Sequence, residues 1–393
     1  RLRRLTGLQR DKIENEYQEL LVLIADLADI LAKPERVIEI IQTELHEIGQ
    51  RFGDARRTEL LIGEVLNLED EDLIEEEEIV VTLTSNGYIK RVANTEFRAQ
   101  RRGGRGVQGM GVHDEDYVQT LISCSTHDTL LFFTNVGKVY RAKGYEIPEY
   151  GRTAKGIPVI NLLGIDSNEQ IQTIVSVNNE EISGNGYLFF TTRLGVVKRT
   201  SVTAFANIRS NGLIAIGLKD GDELVNVLKT TGEDVIIIGT HNGYSVTFLE
   251  KAVRDMGRTA AGVRGVRLRE DDYVIGASII RGEDEVLVIT ENGYGKRTKG
   301  SEYPVKGRGG KGIKTANVTE KNGPLAGLTT VSGEEDLLLI TNKGVMIRFH
   351  TADVSQTGRA TLGVRLIKME EDAKVVTMTT VEPEEVEEPT EQE

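Results

Sequence analysis

The sequence has no tryptophan, one cysteine (Cys124), seven prolines and only 5% aromatic residues in 393. A lone cysteine excludes a disulfide framework and cysteine-based metal sites, and it fits a reducing compartment, the cytoplasm. No apolar run reaches the roughly 18 residues that a membrane-spanning helix needs, and nothing resembles a secretory leader, so a soluble protein is expected. The first residue is Arg1 rather than Met, as expected of a piece of a longer protein.

Positive charge is also scarce, with 48 Lys and Arg against 62 Asp and Glu, a net −14. The deficit sits in the flanks. Residues 64–78 carry nine acids and residues 382–393 carry seven, neither stretch with a base, and residues 1–63 sum to −2. Residues 79–381 are left with +4, so a mildly cationic body lies between two anionic ribbons.

Apolar positions Ile13, Tyr17, Leu20, Leu21, Ile24, Leu27 and Leu31, then Val37, Ile38, Ile41, Leu45 and Ile48, follow helical spacing. Pro34 is tolerated only in a first turn, which predicts a break near Ala32 and a restart at Pro34. Two helices cannot bury such stripes between themselves, so a further helix or another chain is expected to cover them. The acidic stretch up to Glu78 reads as a linker.

From Ile79 the texture changes to short β-forming runs punctuated by glycine, which the chain has in abundance at 42 residues. One pattern occurs six times, at 79–91, 130–141, 188–199, 235–247, 286–297 and 337–348. Its glycines, at 87, 137, 195, 243, 293 and 344, are spaced by 50, 58, 48, 50 and 51 residues. Asn-Gly at 86–87, 242–243 and 292–293 marks tight hairpins. A second element, Gly-Arg followed by Gly and an apolar residue, comes after each hairpin at Gly104-Arg105, Gly151-Arg152, Gly257-Arg258, Gly307-Arg308 and Gly358-Arg359; the third repeat has Asn207 to Gly212 instead. Six units of about four strands predict a radial, mainly β array of propeller type.

Four residues past the hairpin glycine stand Arg91, Arg141, Arg199, Arg297 and Arg348, with Thr247 the exception, and Lys90, Lys198 and Lys296 precede three of them. One register in every blade falls on one rim. These residues, with Arg152, Arg258, Arg308 and Arg359, are therefore candidates for a cationic track that binds a polyanion through phosphates. The competing reading is that each Arg covers a blade edge or pairs with a neighbouring acid. Gln100-Arg101-Arg102-Gly103-Gly104-Arg105-Gly106 is the first repeat's enlarged and most basic version of the loop. No catalytic or metal-binding constellation emerges. The five histidines are scattered, Arg308 to Gly312 lacks the Gly-Lys-Ser/Thr ending of a phosphate loop, and Asp70, Glu71 and Asp72 read as solvated acids.

The seven residues Gln100 to Gly106 are identical to the box that marks the C-terminal domain of the DNA gyrase A family, and the six repeats resemble that domain's six-bladed β-pinwheel. Leu2-Arg3-Arg4-Leu5-Thr6-Gly7-Leu8 and the helices after it resemble the end of the family's breakage-reunion domain with its coiled coil. The resemblance implies a helical tail end at 1–58, an acidic linker at 59–78, a DNA-wrapping pinwheel at 79–381 and a disordered acidic tail at 382–393. It implies a bacterial cytoplasmic, nucleoid-associated protein that wraps duplex DNA with positive handedness. Its partners would be the gyrase B protein and a second copy of gyrase A in an A2B2 holoenzyme, with Mg2+ and ATP serving the holoenzyme and no cofactor in this part. None of the eleven tyrosines sits between Arg and Thr, the setting of the family's strand-cleaving tyrosine. The related A protein of topoisomerase IV, an RNA-binding arginine-glycine protein and a scaffold propeller stay open as alternatives.

Overall fold

A computed structural model describes residues 2–54, 70–93, 116, 118–151, 154–166, 168–343, 345–369 and 372–381. Gln100 to Gly106, Arg152 and the tail 382–393 lie outside the described residues. The chain divides into two compact units, Arg1–Leu68 and Glu69–Glu393.

In the first unit helix α1 (Leu2–Ala32) stops and helix α2 (Pro34–Phe52) begins where the sequence predicts. Lys33 is extended (φ −123, ψ 99), and Pro34 takes the first helical position, where its missing N–H costs nothing. The Arg36 guanidinium spans the break to Asp26 and Asp29, each at 2.9 Å. The apolar stripes are exposed, Ile13 at 67% and Leu45 at 61%, consistent with faces that need a further partner.

The second unit is six antiparallel sheets, one per repeat. Blade one is ordered Val118–Ser125, Glu78–Thr84, Tyr88–Ala93 and Ile157–Pro158. The first three strands belong to the repeat itself. The fourth, two residues long, comes from the repeat that follows. Leu213–Ile214, Val263–Arg264, Ile313–Lys314 and Val364–Arg365 complete blades two to five in the same way. The sequence pattern places four strands inside each repeat; the finding is three plus one borrowed. Blade six has three strands among the described residues.

The last strand of each repeat lies against that of the next, and Thr377 Oγ1 of blade six donates to Gln119 O of blade one at 3.4 Å. These six strands therefore line the axis, and the borrowed strands fall on the perimeter. Runs such as Leu130-Leu131-Phe132-Phe133 are apolar at every position because both faces of a blade are buried. Leu130 and Phe132 pack toward blade one, and Leu131 and Phe133 pack toward blade three.

The hairpin turns differ from the type expected of Asn-Gly. Only the glycine has positive φ (Gly87 +78, Gly243 +84, Gly293 +77). The Gly87 amide closes the turn on Thr84 O at 2.9 Å, and the Thr84 hydroxyl accepts from Tyr88 N at 3.1 Å. A carboxylate caps the turn from the side. Asp222 accepts from the Thr192 hydroxyl (2.7 Å) and Leu194 N (2.9 Å), and Asp116 and Asp272 do the same in blades one and four. Asp222→Ala orphans two donors and is expected to cost about 2 kcal/mol. Urea denaturation checks this, and a loss within measurement error would contradict the cap's role.

The expected linker is not free of structure from Asp70 onward. A single 3-10 turn (Asp70–Leu73) precedes the first strand, and the Glu71 carboxylate pairs with the Lys143 ammonium at 2.7 Å. His127 Nε2 meets Ile74 O at 2.9 Å, and the Thr126 hydroxyl donates to Glu75 O at 2.9 Å.

Candidate nucleic-acid interface

The perimeter is built from the borrowed strand and the Gly-Arg loop that leads into it. Glycine is required here because the chain runs against the preceding blade. At Gly262 (φ +89) a Cβ would lie 2.5 Å from Val197 O, and at Gly312 (φ +74) 2.5 Å from Ser245 O.

The arginines expected to form the track divide into two groups. Arg141 is exposed and donates to Ala206 O at 3.2 Å. The other four are largely covered; Arg91, Arg199 and Arg297 reach across to the next repeat, whereas Arg348 pairs within its own blade. Arg91 faces Glu149 at 3.7 Å. Arg199 lies over the Tyr187 ring (4.5 Å), donates to Gly232 O (3.3 Å) and is 4.0 Å from Glu250. Arg297 pairs with Glu285 at 2.6 Å and donates to Val354 O and Ala352 O. Arg348 pairs with Asp336 at 2.7 Å. For Arg91, Arg199 and Arg297 the shared register reflects a repeated joint between blades, each residue forming a parallel bridge to the next repeat.

The placement of Lys90, Lys198 and Lys296 on the rim surface is corrected. All three are buried, at 0, 0 and 1% exposure. Each ammonium is turned inward onto loop carbonyls of the next repeat, which removes it from the charge available to a ligand. Lys90 donates to Gly151 O (3.1 Å) and Ala154 O (2.9 Å). Lys198 donates to Gly257 O (3.2 Å), Arg258 O and Ala215 O. Lys296 donates to Gly358 O (2.8 Å), Arg359 O and the Thr361 hydroxyl (3.1 Å).

Of the loop arginines, Arg258, Arg308 and Arg359 are among the described residues and lie in the perimeter loops. Arg308 is exposed and donates to Ala252 O (3.0 Å) and Arg264 O (3.1 Å). Arg359 is half-buried between Glu302 (3.9 Å) and the Tyr303 ring (6.0 Å), and it reaches Lys314 O at 3.4 Å. Arg258 is half-buried. Sequence reasoning missed the other half of this surface. The second residue of the borrowed strand is exposed Arg264, Lys314 or Arg365 in blades three, four and five. The loop contacts set Arg308 beside Arg264 and Arg359 beside Lys314, so charge runs from blade to blade. The readable signal was a base directly after the Gly-apolar pair: Gly262-Val263-Arg264, Gly312-Ile313-Lys314 and Gly363-Val364-Arg365.

Tyrosines after the hairpin glycine seat further cations. Lys155 lies 3.8 Å over the Tyr88 ring, and Arg269 lies 3.4 Å over Tyr244. Blades two and three flank a cleft of about 550 Å³ lined by Arg141, Lys143, Tyr140 and Arg209, where the third repeat departs from the Gly-Arg form. An exposed line of guanidiniums and ammoniums suits phosphate oxygens.

The family model described as the DNA gyrase C-terminal domain, beta-propeller, matches residues 78–125, 128–178, 186–231, 234–281, 284–332 and 335–382, one segment per blade. The DNA gyrase A protein of Streptococcus pyogenes serotype M1 is 66% identical over 384 residues, 98% of this chain and 46% of that protein. The DNA gyrase A protein of Staphylococcus epidermidis is 53% identical over 386 residues, 98% of this chain and 43% of that protein. The chain thus spans about half the length of the curated relatives it matches. Among solved structures, a DNA gyrase A C-terminal domain superposes with a TM-score of 0.68 at 27% identity, covering 77% of this chain and 99% of that one. A topoisomerase IV C-terminal domain gives 0.64 at 29% identity, covering 79% and 94%. The two structures alone leave the gyrase and topoisomerase IV branches level, and the full-length relatives decide between them. With six matched segments on six blades, the chain belongs to the DNA gyrase C-terminal β-propeller domain family.

Proposed function

We propose that the second unit binds duplex DNA along its perimeter and wraps it, serving as the DNA-wrapping part of a DNA gyrase A protein. In a holoenzyme with gyrase B and a second copy of gyrase A, the wrapped duplex is presented for strand passage, which directs ATP-dependent negative supercoiling. The observation that carries this reading is the exposed line Arg264, Arg308, Lys314 and Arg365, with half-buried Arg359 beside Lys314, on the outer edge of a propeller from this family. Bending duplex around a ring is costly and is offset by many phosphate contacts. This part of the protein contributes binding and geometry; cleavage and ATP hydrolysis belong to other regions. Among the described residues no three His, Cys, Asp or Glu side chains are placed to hold a metal ion.

The deciding experiment closes nicked circular DNA with ligase in the presence of the chain. A linking-number change is expected, and its absence would sink the wrapping reading. Engaging about eight phosphates predicts a slope near −7 for log affinity against log salt concentration. Replacing Arg101, Arg102 and Arg105 together by Ala is expected to abolish the linking-number change while the far-ultraviolet circular dichroism stays the same. An undiminished change would remove the box from the wrapping path.

A further inference from the structure

The position before the register arginine is Lys90, Tyr140, Lys198, Val246, Lys296 and Ile347 in blades one to six. Lysine therefore occupies every odd blade and no even one. The backbone follows the same alternation. Parallel bridges join Arg91 to Glu149, Arg199 to Asp255 and Arg297 to Gln356, all in odd blades, and these are the isolated bridges among the described residues. The loops held by these lysines share one form: Gly151-Arg-Thr-Ala-Lys-Gly, Gly257-Arg-Thr-Ala-Ala-Gly and Gly358-Arg-Ala-Thr-Leu-Gly. The loop facing Val246 reads Gly307-Arg-Gly-Gly-Lys-Gly, richer in glycine, and the one facing Tyr140 has lost Gly-Arg altogether. In that second case the aromatic ring fills the space, since a Cβ on Gly212 would lie 2.7 Å from it. A buried ammonium, a parallel bridge and a fixed loop composition thus occur together in three blades and are missing together in two.

We propose that Lys90, Lys198 and Lys296 are positioning residues that hold the perimeter loops of repeats two, four and six in a preset pose for DNA, whereas the loop of repeat five is held without an ammonium, by main-chain bonds such as Gly309 N to Gly265 O at 2.6 Å and Arg267 N to Gly310 O at 2.8 Å. Each ammonium binds carbonyls of the loop arginine itself (Arg258, Arg359) or of residues flanking it (Gly151 and Ala154 around Arg152), and Lys198 also holds Ala215 O of repeat three. That ties down the main chain from which the guanidinium projects. A bound duplex then meets loops fixed by a buried ammonium alternating with loops that lack one.

This inference rests on the DNA-wrapping reading for its purpose, and its closing experiment separates the two. Hydrogen exchange of the intact chain without DNA is expected to show amides of 257–262 and 358–363 exchanging roughly tenfold more slowly than those of 307–312, after sequence correction. Lys198→Met should erase this protection at 257–262 alone, and Lys296→Met at 358–363 alone. Lys198→Arg, which keeps a cation, should retain part of it. Val246→Lys should slow exchange at 307–312, a gain that general destabilisation cannot produce. With about 150 base pairs of nicked circular duplex, the two Met variants should give a smaller linking-number change while binding at low salt stays within about threefold. Equal exchange in both loop classes, or a linking number untouched by Lys198→Met and Lys296→Met together, would overturn the proposal. Failure of the unaltered chain to bind DNA would overturn the wrapping reading, and the DNA-free exchange would still decide whether the lysines hold the loops.

Discussion

Phe190→Ala is expected to lower the stability of the second unit by about 4 kcal/mol, the range for deleting a fully buried aromatic ring. Its ring is 0% exposed, meets Phe133 edge-on at 5.5 Å and lies 6.1 Å from Phe205. These three rings form the centre of the joint between blades two and three, with Leu131, Val139 and Val202 around them. Truncation leaves a cavity that rigid sheets on both sides cannot close, so most of the transfer and cavity terms are felt. Urea denaturation followed by circular dichroism measures it. Leu194→Ala, in an exposed turn, should change stability by less than about 0.5 kcal/mol and serves as the reference. A Phe190→Ala loss near that reference would mean the joint is loosely packed.

The second large effect comes from the lysines of the loops. Burial, reinforced by Arg258, pushes the Lys198 ammonium down to about 8. Burial also takes Lys296 down to about 8, against the pull of Glu302 and with help from Arg359. In the unfolded chain both return to ordinary lysine values near 10.5. Below pH 8 both states are protonated and the stability term is flat at its lowest level. Between pH 8 and 10.5 the unfolded chain binds protons that the folded one has released, so the term rises with pH. The carbonyl acceptors favour the ammonium and reduce the gain. For the two lysines together, about 3 kcal/mol is expected between pH 7 and 9.5. Other groups run the opposite way. Burial pushes the Cys124 thiol up to about 12, which costs stability as the unfolded thiol ionises above 9. Buried Tyr303, its phenol pushed upward, adds a similar loss at higher pH. The informative quantity is therefore the stability difference between the unaltered chain and Lys198→Met/Lys296→Met, followed from pH 7 to 9.5. A difference that stays constant with pH would show that these lysines keep their ordinary affinity for protons.

The hairpins were legible because their turns demand a glycine at positive φ, a local requirement that leaves a mark at regular intervals. The helix break was legible for the same kind of reason, since Pro34 can sit only in a first turn. The borrowed strands were not. Two residues carry no periodicity, and nothing local says that Val263-Arg264 pairs with Val196-Val197 of the blade before. Lys-Arg at 90–91, 198–199 and 296–297 reads as surface because lysine is rarely buried. Its burial depends on carbonyls some sixty residues away that only the fold brings together. The register arginines show the same limit. Their spacing was plain, and their acids, Glu285 and Asp336 among them, were assigned to them only by the cross-strand register.

The borrowed strand gives the array a direction. Each of blades one to five receives its outer strand from the repeat on its C-terminal side, as overlapping roof tiles do. Cutting after any of the first five repeats would strip the new last blade of its edge strand and uncover apolar backbone that the cut repeat had covered. Splicing in a whole repeat does no such damage, because the newcomer completes the blade before it and is completed by the one after. Blade number in such a chain can therefore change only in whole units. The integrity of each of these five outer edges is encoded about seventy residues downstream of the strand it pairs with.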